Sequence, residues 1–393
     1  MRPVCDDRAV RPPPARLERL PEQYFAGLLA RVASALANPG APLVDLGRGN
    51  PDVPPPAHVV ERLVEAVADP RAHGYAPFLG LLELKEAIAE RYRSVYGVEL
   101  DPAREVAIVP GTKTALVELA LCLAAEGEAI LLPDPGYPDY RSAVALAGAR
   151  EIRLPLDPAA GYAPDFASAP GDGIAAVYLN YPSNPCAVTA PRGVFAEAVA
   201  FAAEAGAAVV HDFAYADLVF DGREPESFLA SEGAKEVGVE LFSMSKSYGM
   251  AGWRLGFVVG HAEIVARVNL LQDHVRAGVF APIQEAGIAA LRGPQDSVEE
   301  RRALYERRRD RVRQVLRGAG VDNVWSEGTF FVWFELPAAV GVDALLAEER
   351  VALAPGDGFG PRGAGWARIS LATADDPLEA GLERLGAALA ARG

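Results

Sequence analysis

Four short segments combine residue types and spacings that could do chemistry. The first is Ser243-Met244-Ser245-Lys246-Ser247-Tyr248-Gly249, with Arg254 eight residues beyond the lysine. A lysine placed directly after an apolar run, at a strand end beside a crevice, is desolvated and not permanently protonated, so it suits imine formation with an aldehyde. The flanking hydroxyls and Arg254 suit a phosphate dianion. In the second segment, Val209-Val210-His211-Asp212-Phe213-Ala214-Tyr215, an apolar strand runs straight into an acid. A carboxylate there needs a cationic partner to offset its desolvation, and a protonated pyridine nitrogen is one such partner. The third, Asn180-Tyr181-Pro182-Ser183-Asn184-Pro185, uses two prolines to fix the backbone and aim Asn184, whose amide could donate to a phenolate oxygen. The fourth, Val109-Pro110-Gly111-Thr112-Lys113-Thr114, reads as a strand, a tight turn and a helix start, where free N–H groups and the helix dipole attract an anion. It lacks the Walker spacing G-x-x-x-x-G-K-[ST]. Taken singly, each segment also fits a plainer role: a solvated lysine, an Asp capping a turn, an Asn within a turn, an ordinary helix start.

Positioning these segments requires a scaffold, and the hydrophobic pattern describes one. Short apolar runs at Val106–Val109, Ala129–Leu132, Ala175–Tyr178, Ala208–His211, Val239–Ser243 and Leu255–Val259 alternate with helical stretches such as Lys113–Ala125, Tyr140–Ala147 and Phe195–Ala205. Such alternation predicts an α/β fold, a mostly parallel sheet with helices on both faces. Past about residue 285 the texture changes to long charged helices with a short strand pair near Thr329–Glu335 and Ala367–Leu371, which reads as a smaller α+β lobe. The expected organisation is a flexible arm over residues 1–20, a large domain over 58–285, and a discontinuous small domain of 21–57 plus 286–393. An apolar-periodic helix near Gln23 to Ala37 should join the small domain.

The 393 residues carry a net charge of −15, which disfavours nucleic acid and anionic membranes as partners. The basic cluster Arg301, Arg302, Arg307, Arg308 and Arg309 alternates with acids and reads as a solvated helix face. Cys5, Cys122 and Cys186 make neither a disulfide framework nor a metal-ligand spacing, so no metal is expected. With no run of about 18 apolar residues and no apolar leader, the expected location is the cytoplasm.

The four segments, in this order, resemble the class I/II aminotransferases of the fold-type I pyridoxal 5′-phosphate (PLP) enzymes. Further matching features are Gly47-Arg48-Gly49-Asn50-Pro51-Asp52, His73-Gly74-Tyr75, Pro133-Asp134-Pro135-Gly136-Tyr137-Pro138 and Ala367-Arg368-Ile369-Ser370. The wording is most similar to bacterial methionine and N-acetyl-diaminopimelate aminotransferases. The resemblance implies a mostly parallel seven-stranded sheet in the large domain, PLP held covalently on Lys246, and Asp212 on the pyridinium nitrogen. It also implies Tyr215 and Asn184 on the phenolic oxygen, Tyr137 on the ring face, and a phosphate cradle of Gly111, Thr112, Lys113, Ser243, Ser245 and Arg254. Tyr75 would complete the cradle of a neighbouring subunit in a homodimer with active sites at the interface. Arg368 would clamp the substrate α-carboxylate, with Gly49 against the substrate and Asn184 also in contact with it. The implied reaction exchanges an amino group between a small neutral or sulfur-containing amino acid and a 2-oxo acid. A PLP lyase or synthase acting at Cβ or Cγ would share the fold. Cys186-Ala187 stand where the family usually has Thr-Gly, and loop residues near Tyr24, Phe78 and Phe280 should set side-chain preference.

Overall fold

The computed structural model describes residues 13–38 and 40–392. Its central sheet has seven strands in the order Val106–Val109, Gly256–Gly260, Gly238–Ser243, Ala208–Asp212, Ile174–Asn180, Ala129–Asp134, Arg150–Pro155. All neighbours run parallel except Gly256–Gly260, which is antiparallel to both strands beside it. Strands such as Val106–Val109 and Gly238–Ser243 are buried at every residue, as a sheet covered on both faces requires. The edge strand Arg150–Pro155 escapes the sequence pattern because it is charged and only half-buried. Asn180, Asp212 and Ser243 are the last residues of three adjacent parallel strands, so one sheet edge presents an amide, a carboxylate and a hydroxyl together.

A second sheet of four strands, Ala354–Pro355, Trp366–Ser370, Phe331–Glu335 and Val324–Trp325, is antiparallel throughout. Arg368 sits at its centre, in register with Trp333 on one side and Ala354 on the other. The amino-terminal segment brings a two-residue strand of its own, Val44–Asp45, which pairs in parallel with Val351–Ala352 and so ties residues near 45 to the carboxy-terminal part. Of the arm expected over residues 1–20, residues 1–12, and with them Cys5, lie outside the described residues. Ala15–Glu18 form one helical turn, and Arg19 lies 3.7 Å from Glu126.

The helix Asp296–Gly318 corrects one expectation. Its arginines are not all solvated: Arg301 is 2% exposed, Arg309 is 1% exposed and Arg308 is buried, while Arg302 pairs with Glu299 and Arg307 faces outward. Alternating charge in the sequence cannot distinguish a carboxylate partner from a main-chain carbonyl, and here the carbonyls count. The Arg301 guanidinium donates to the carbonyls of Ser247 and, at 3.0 Å, Pro54. Arg308 donates to the Leu371 carbonyl and to Asp52, and Arg309 to the Ser326 carbonyl and Asp221. One helix thus holds the lysine-bearing turn, the amino-terminal segment and the second sheet in fixed relation.

Candidate active site

Between the sheet edge and the helix Tyr24–Leu36 lies a cavity of about 480 Å³. Every residue given a cofactor or substrate contact from the sequence lines it except Gly111, which sits directly behind Arg254, and Tyr75.

At the sheet edge, Asp212 accepts a hydrogen bond from the Tyr140 hydroxyl at 2.8 Å and another from the Ala214 N–H at 3.2 Å. The Asn180 amide donates to the Asp212 carbonyl at 2.8 Å, and its oxygen accepts from the Asn184 N–H at 2.7 Å, which locks the two loops together. Burial raises the Asp212 pKa, while Tyr140, His211, the Ala214 N–H and Lys246 oppose the rise. A carboxylate held against its own desolvation is a strong acceptor for a cationic N–H. Lys246 shows the converse: burial, Arg254 and Arg368 lower its pKa from 10.5 to about 8, with Asp212 pulling the other way. Its Nζ lies 5.1 Å from the centre of the Phe330 ring and 5.9 Å from that of Tyr215. Burial pushes the Tyr215 and Tyr137 hydroxyls well above their usual range, so both stay protonated and able to donate.

The anion cradle forms where two turns meet. Gly111 has φ +85°, which suits glycine, and a Cβ there would run into the Arg254 guanidinium. Thr112 opens a 12-residue helix whose first N–H groups lack partners within the helix. The Ser243 hydroxyl accepts from the Ser245 N–H at 3.3 Å, leaving its own proton for a ligand. Among the described residues Arg254 has no carboxylate within 4.0 Å, and its Nη1 donates only to the Ala251 carbonyl. Lys113 is less committed to the cradle, since its ammonium lies 3.0 Å from Asp139. A cradle for a dianion, a carboxylate for a ring nitrogen and an amine of lowered pKa in one cavity fit the outline of PLP.

Across the cavity, Arg368 is 1% exposed, and burial lowers its pKa to about 10. It has no carboxylate partner among the described residues. Nη1 donates to Asn184 Oδ1 at 2.5 Å and Nη2 to the Gly47 carbonyl at 3.2 Å, while Nε has no partner. The guanidinium stacks 3.7 Å from the Phe331 ring centre and 4.7 Å from that of Phe359. A desolvated, aromatic-sandwiched guanidinium with an unused donor suits an incoming carboxylate.

Some expectations change. Gly49 lacks a side chain because a Cβ would come within 2.7 Å of Phe331, the ring under Arg368, so its smallness serves the clamp itself. Tyr75 is 88% exposed and does not line its own chain's cavity. Phe78 and Phe280 are exposed outside this chain's cavity lining and Tyr24 donates to the Pro355 carbonyl, while Phe25, Leu28 and Leu29 give the cavity an apolar wall. The helix periodicity held that information, because these residues lie on one face of Tyr24–Leu36. Cys186 is fully buried in the core, outside the cavity lining, and burial raises its thiol pKa. Tyr140 and Phe331 escaped sequence reasoning, since each acts through a contact distant in the chain. Arg48 was legible only as part of a motif.

A family model described as aminotransferase class I and II matches residues 41–385. The L-glutamine--4-(methylsulfanyl)-2-oxobutanoate aminotransferase of Bacillus subtilis is 44% identical over 377 residues, covering 94% of both chains. An LL-diaminopimelate aminotransferase of Moorella thermoacetica is 37% identical, covering 94% of this chain and 96% of that one. Among solved structures, substrate-bound BacF from Bacillus subtilis superposes with a TM-score of 0.91 at 38% identity, covering 97% of this chain and 98% of the other.

Proposed function

Because the chain belongs to the class I and II aminotransferase family, it is a PLP-dependent transaminase, and we propose that it exchanges the amino group between a small neutral or sulfur-containing L-amino acid and a 2-oxo acid. The observation that carries the substrate class is the pairing of Arg368, buried and without a carboxylate partner among the described residues, with the apolar wall Phe25, Leu28 and Leu29 in the same cavity. An α-carboxylate at one end and an aliphatic or thioether side chain at the other match that pair. The Bacillus subtilis relative named for 4-(methylsulfanyl)-2-oxobutanoate supports the sulfur-containing choice.

When bound, PLP supplies an electron sink for negative charge at the substrate Cα. The residues divide the remaining work. Asp212 accepts from the ring nitrogen and keeps a proton on it, and Tyr140 and the Ala214 N–H steady that carboxylate. Tyr215 and the Asn184 amide donate to the phenolic oxygen, and Tyr137 covers the ring face. Gly111, Thr112, Lys113, Ser243, Ser245 and Arg254 receive the phosphate. Arg368 orients the substrate so that Lys246 Nζ, whose pKa burial lowers to about 8, takes the proton from Cα in its neutral form.

The same reading includes a homodimer in which Tyr75 serves the partner's phosphate cradle. Tyr75, Phe78, Leu79, Leu82, Val275 and Phe280 are all exposed, a large apolar surface for one chain to leave in water. It also includes a cytoplasmic location, a small lobe of 21–57 with 286–393, and a large lobe of 58–285. No described helix is long and apolar enough to cross a membrane.

The test mixes purified holoenzyme with methionine in the absence of acceptor. The expected result is one equivalent of 4-(methylsulfanyl)-2-oxobutanoate per site, with the cofactor converted to its pyridoxamine form. A substrate fragmented at Cβ or Cγ, with no intact oxo acid formed, would overturn the transaminase assignment of substrate.

A further inference from the structure

Directly behind the cavity lies a buried acid–base pair that touches neither cofactor nor substrate. His211 precedes Asp212 on the strand Ala208–Asp212, and successive side chains of a strand point to opposite faces of the sheet. Asp212 lines the cavity, so His211 faces the layer beneath it. His211 is in register with Glu240 on the neighbouring strand Gly238–Ser243, and both side chains are fully buried.

The partners of this pair fix its protons. His211 Nε2 lies 3.0 Å from the Tyr181 carbonyl, an oxygen that can only accept, so Nε2 carries a proton. Nδ1 lies 2.8 Å from Glu240 Oε2. Glu240 already accepts from the Tyr92 hydroxyl at 2.7 Å, the Phe228 N–H at 2.8 Å and the Ser227 hydroxyl at 3.0 Å, the surroundings of a carboxylate rather than of an acid. Burial and the Glu240 charge hold the Tyr92 hydroxyl well above its usual range, so it remains a donor. Facing a carboxylate, Nδ1 carries a proton too, and the ring is a cation. Phenyl rings enclose the rest of it, with centres at 4.9 Å for Phe195, 5.1 Å for Phe213 and 6.3 Å for Phe228. The other charged group beside it is Asp212, the next residue of its own strand.

A buried ion pair gains little stability over well-packed apolar side chains, so its worth lies in its effect on neighbours. Two effects reach the site. The imidazole spans from Glu240 on one adjacent strand to the Tyr181 carbonyl just past the end of the other, tying together the strands that end in Asn180, Asp212 and Ser243. It also sets a positive charge beside Asp212: burial raises the Asp212 pKa, and the Tyr140 hydroxyl and then His211 oppose the rise.

Resting on the role of Asp212 proposed above, we propose that His211 is a positioning residue held as an imidazolium, which keeps Asp212 charged and in place for the protonated ring nitrogen of the cofactor. Its effect passes only through Asp212, so it bears on the ring nitrogen and leaves the phosphate cradle alone.

Two measurements test this, one of the protons and one of their effect. In holoenzyme labelled with 15N-histidine at about pH 8, where solvated histidines are neutral, NMR should show His211, alone of the five histidines, with both nitrogens protonated. Loss of the signal in His211→Gln assigns it, and an unprotonated nitrogen at His211 overturns the proposal. Equilibrium dialysis then compares PLP with its 1-deaza analogue, in which C–H replaces the ring nitrogen. The parent should prefer PLP, and His211→Gln should shrink that preference roughly tenfold while the analogue binds much as before. Glu240→Gln, which removes the counterion but keeps the imidazole, should shrink it as well, and it serves if His211→Gln does not fold. A merely structural role would weaken both cofactors alike, and a preference left intact overturns the proposal. A parent that binds both cofactors equally would overturn the reading of Asp212 on which the proposal rests, and the NMR signals, which do not depend on the ring nitrogen, tell that failure from one at His211.

Discussion

Lys246 offers the most quantitative test of the site, because its environment predicts when its amine is free to react. Burial beside Arg254 and Arg368 brings its pKa from 10.5 to about 8. At pH 7 such a group is about one-tenth neutral, whereas a solvated lysine is about one part in three thousand neutral, a difference of roughly 300-fold in reactive amine. Apoenzyme stripped of cofactor and mixed with PLP from about pH 6 to 10.5 should capture it at a rate that rises about tenfold per pH unit, then levels off near pH 8. The capture is followed by absorbance, and borohydride reduction with peptide mapping identifies the modified residue. The chain has only four lysines, Lys85, Lys113, Lys235 and Lys246, so the map is short. Arg368→Gln, which removes one of the two neighbouring cations, should shift the midpoint upward. The depressed pKa also means that protonated Lys246 opposes folding below about pH 8; apoenzyme stability should rise as pH climbs from about 8 toward 10.5, where the unfolded chain also loses the proton. A capture rate still climbing steeply above pH 9.5, or a pyridoxyl group on any lysine but 246, would refute the reasoning.

Other predictions follow from particular contacts. Arg368→Lys loses the planar fork and its aromatic sandwich, so kcat/KM for every amino acid substrate should drop by roughly 100-fold, and a loss under threefold in steady-state kinetics would contradict the clamp. Tyr140→Phe removes the hydroxyl that donates to Asp212, so PLP should dissociate several-fold more readily in equilibrium dialysis; unchanged affinity would mean that the carboxylate needs no such support. Gly111→Ala forces a side chain into a left-handed backbone and into Arg254, and should weaken PLP binding tenfold or more in equilibrium dialysis while also lowering the urea midpoint of the apoenzyme; unchanged PLP affinity would contradict the cradle. Arg301→Met leaves the Ser247 and Pro54 carbonyls without their donor and should cost about 2–4 kcal/mol in urea unfolding, whereas a change below about 0.5 kcal/mol would show those carbonyls to be satisfied otherwise.

What the sequence disclosed follows from how far apart in the chain the interacting residues lie. The strand ends bearing Asn180, Asp212 and Ser243 were visible because apolar runs stop at polar residues, and a parallel sheet collects such ends at one edge. Gly111 and Arg254 could be placed at an anion site from local turn chemistry. Arg150–Pro155 stayed hidden because an edge strand needs burial on neither all its residues nor both its faces. The buried guanidinia of Arg301, Arg308 and Arg309 stayed hidden because each donates to a main-chain carbonyl, which every residue possesses, and because the carboxylates Asp52 and Asp221 that meet Arg308 and Arg309 lie far away in the chain. Phe25, Leu28 and Leu29 showed helical periodicity, but nothing local said that their face overlooks a cavity rather than a core. Gly49 was placed at the site, yet the reason for it lies some 280 positions along, in Phe331.

The choice of main-chain acceptors by the helix Asp296–Gly318 has an evolutionary corollary. A carbonyl survives any substitution of its own side chain, so Pro54, Ser247, Ser326 and Leu371 can be exchanged without breaking the grip of Arg301, Arg308 and Arg309 upon them. Those four side chains can therefore change identity while three arginines on one helix keep their hold on the main chain beneath them.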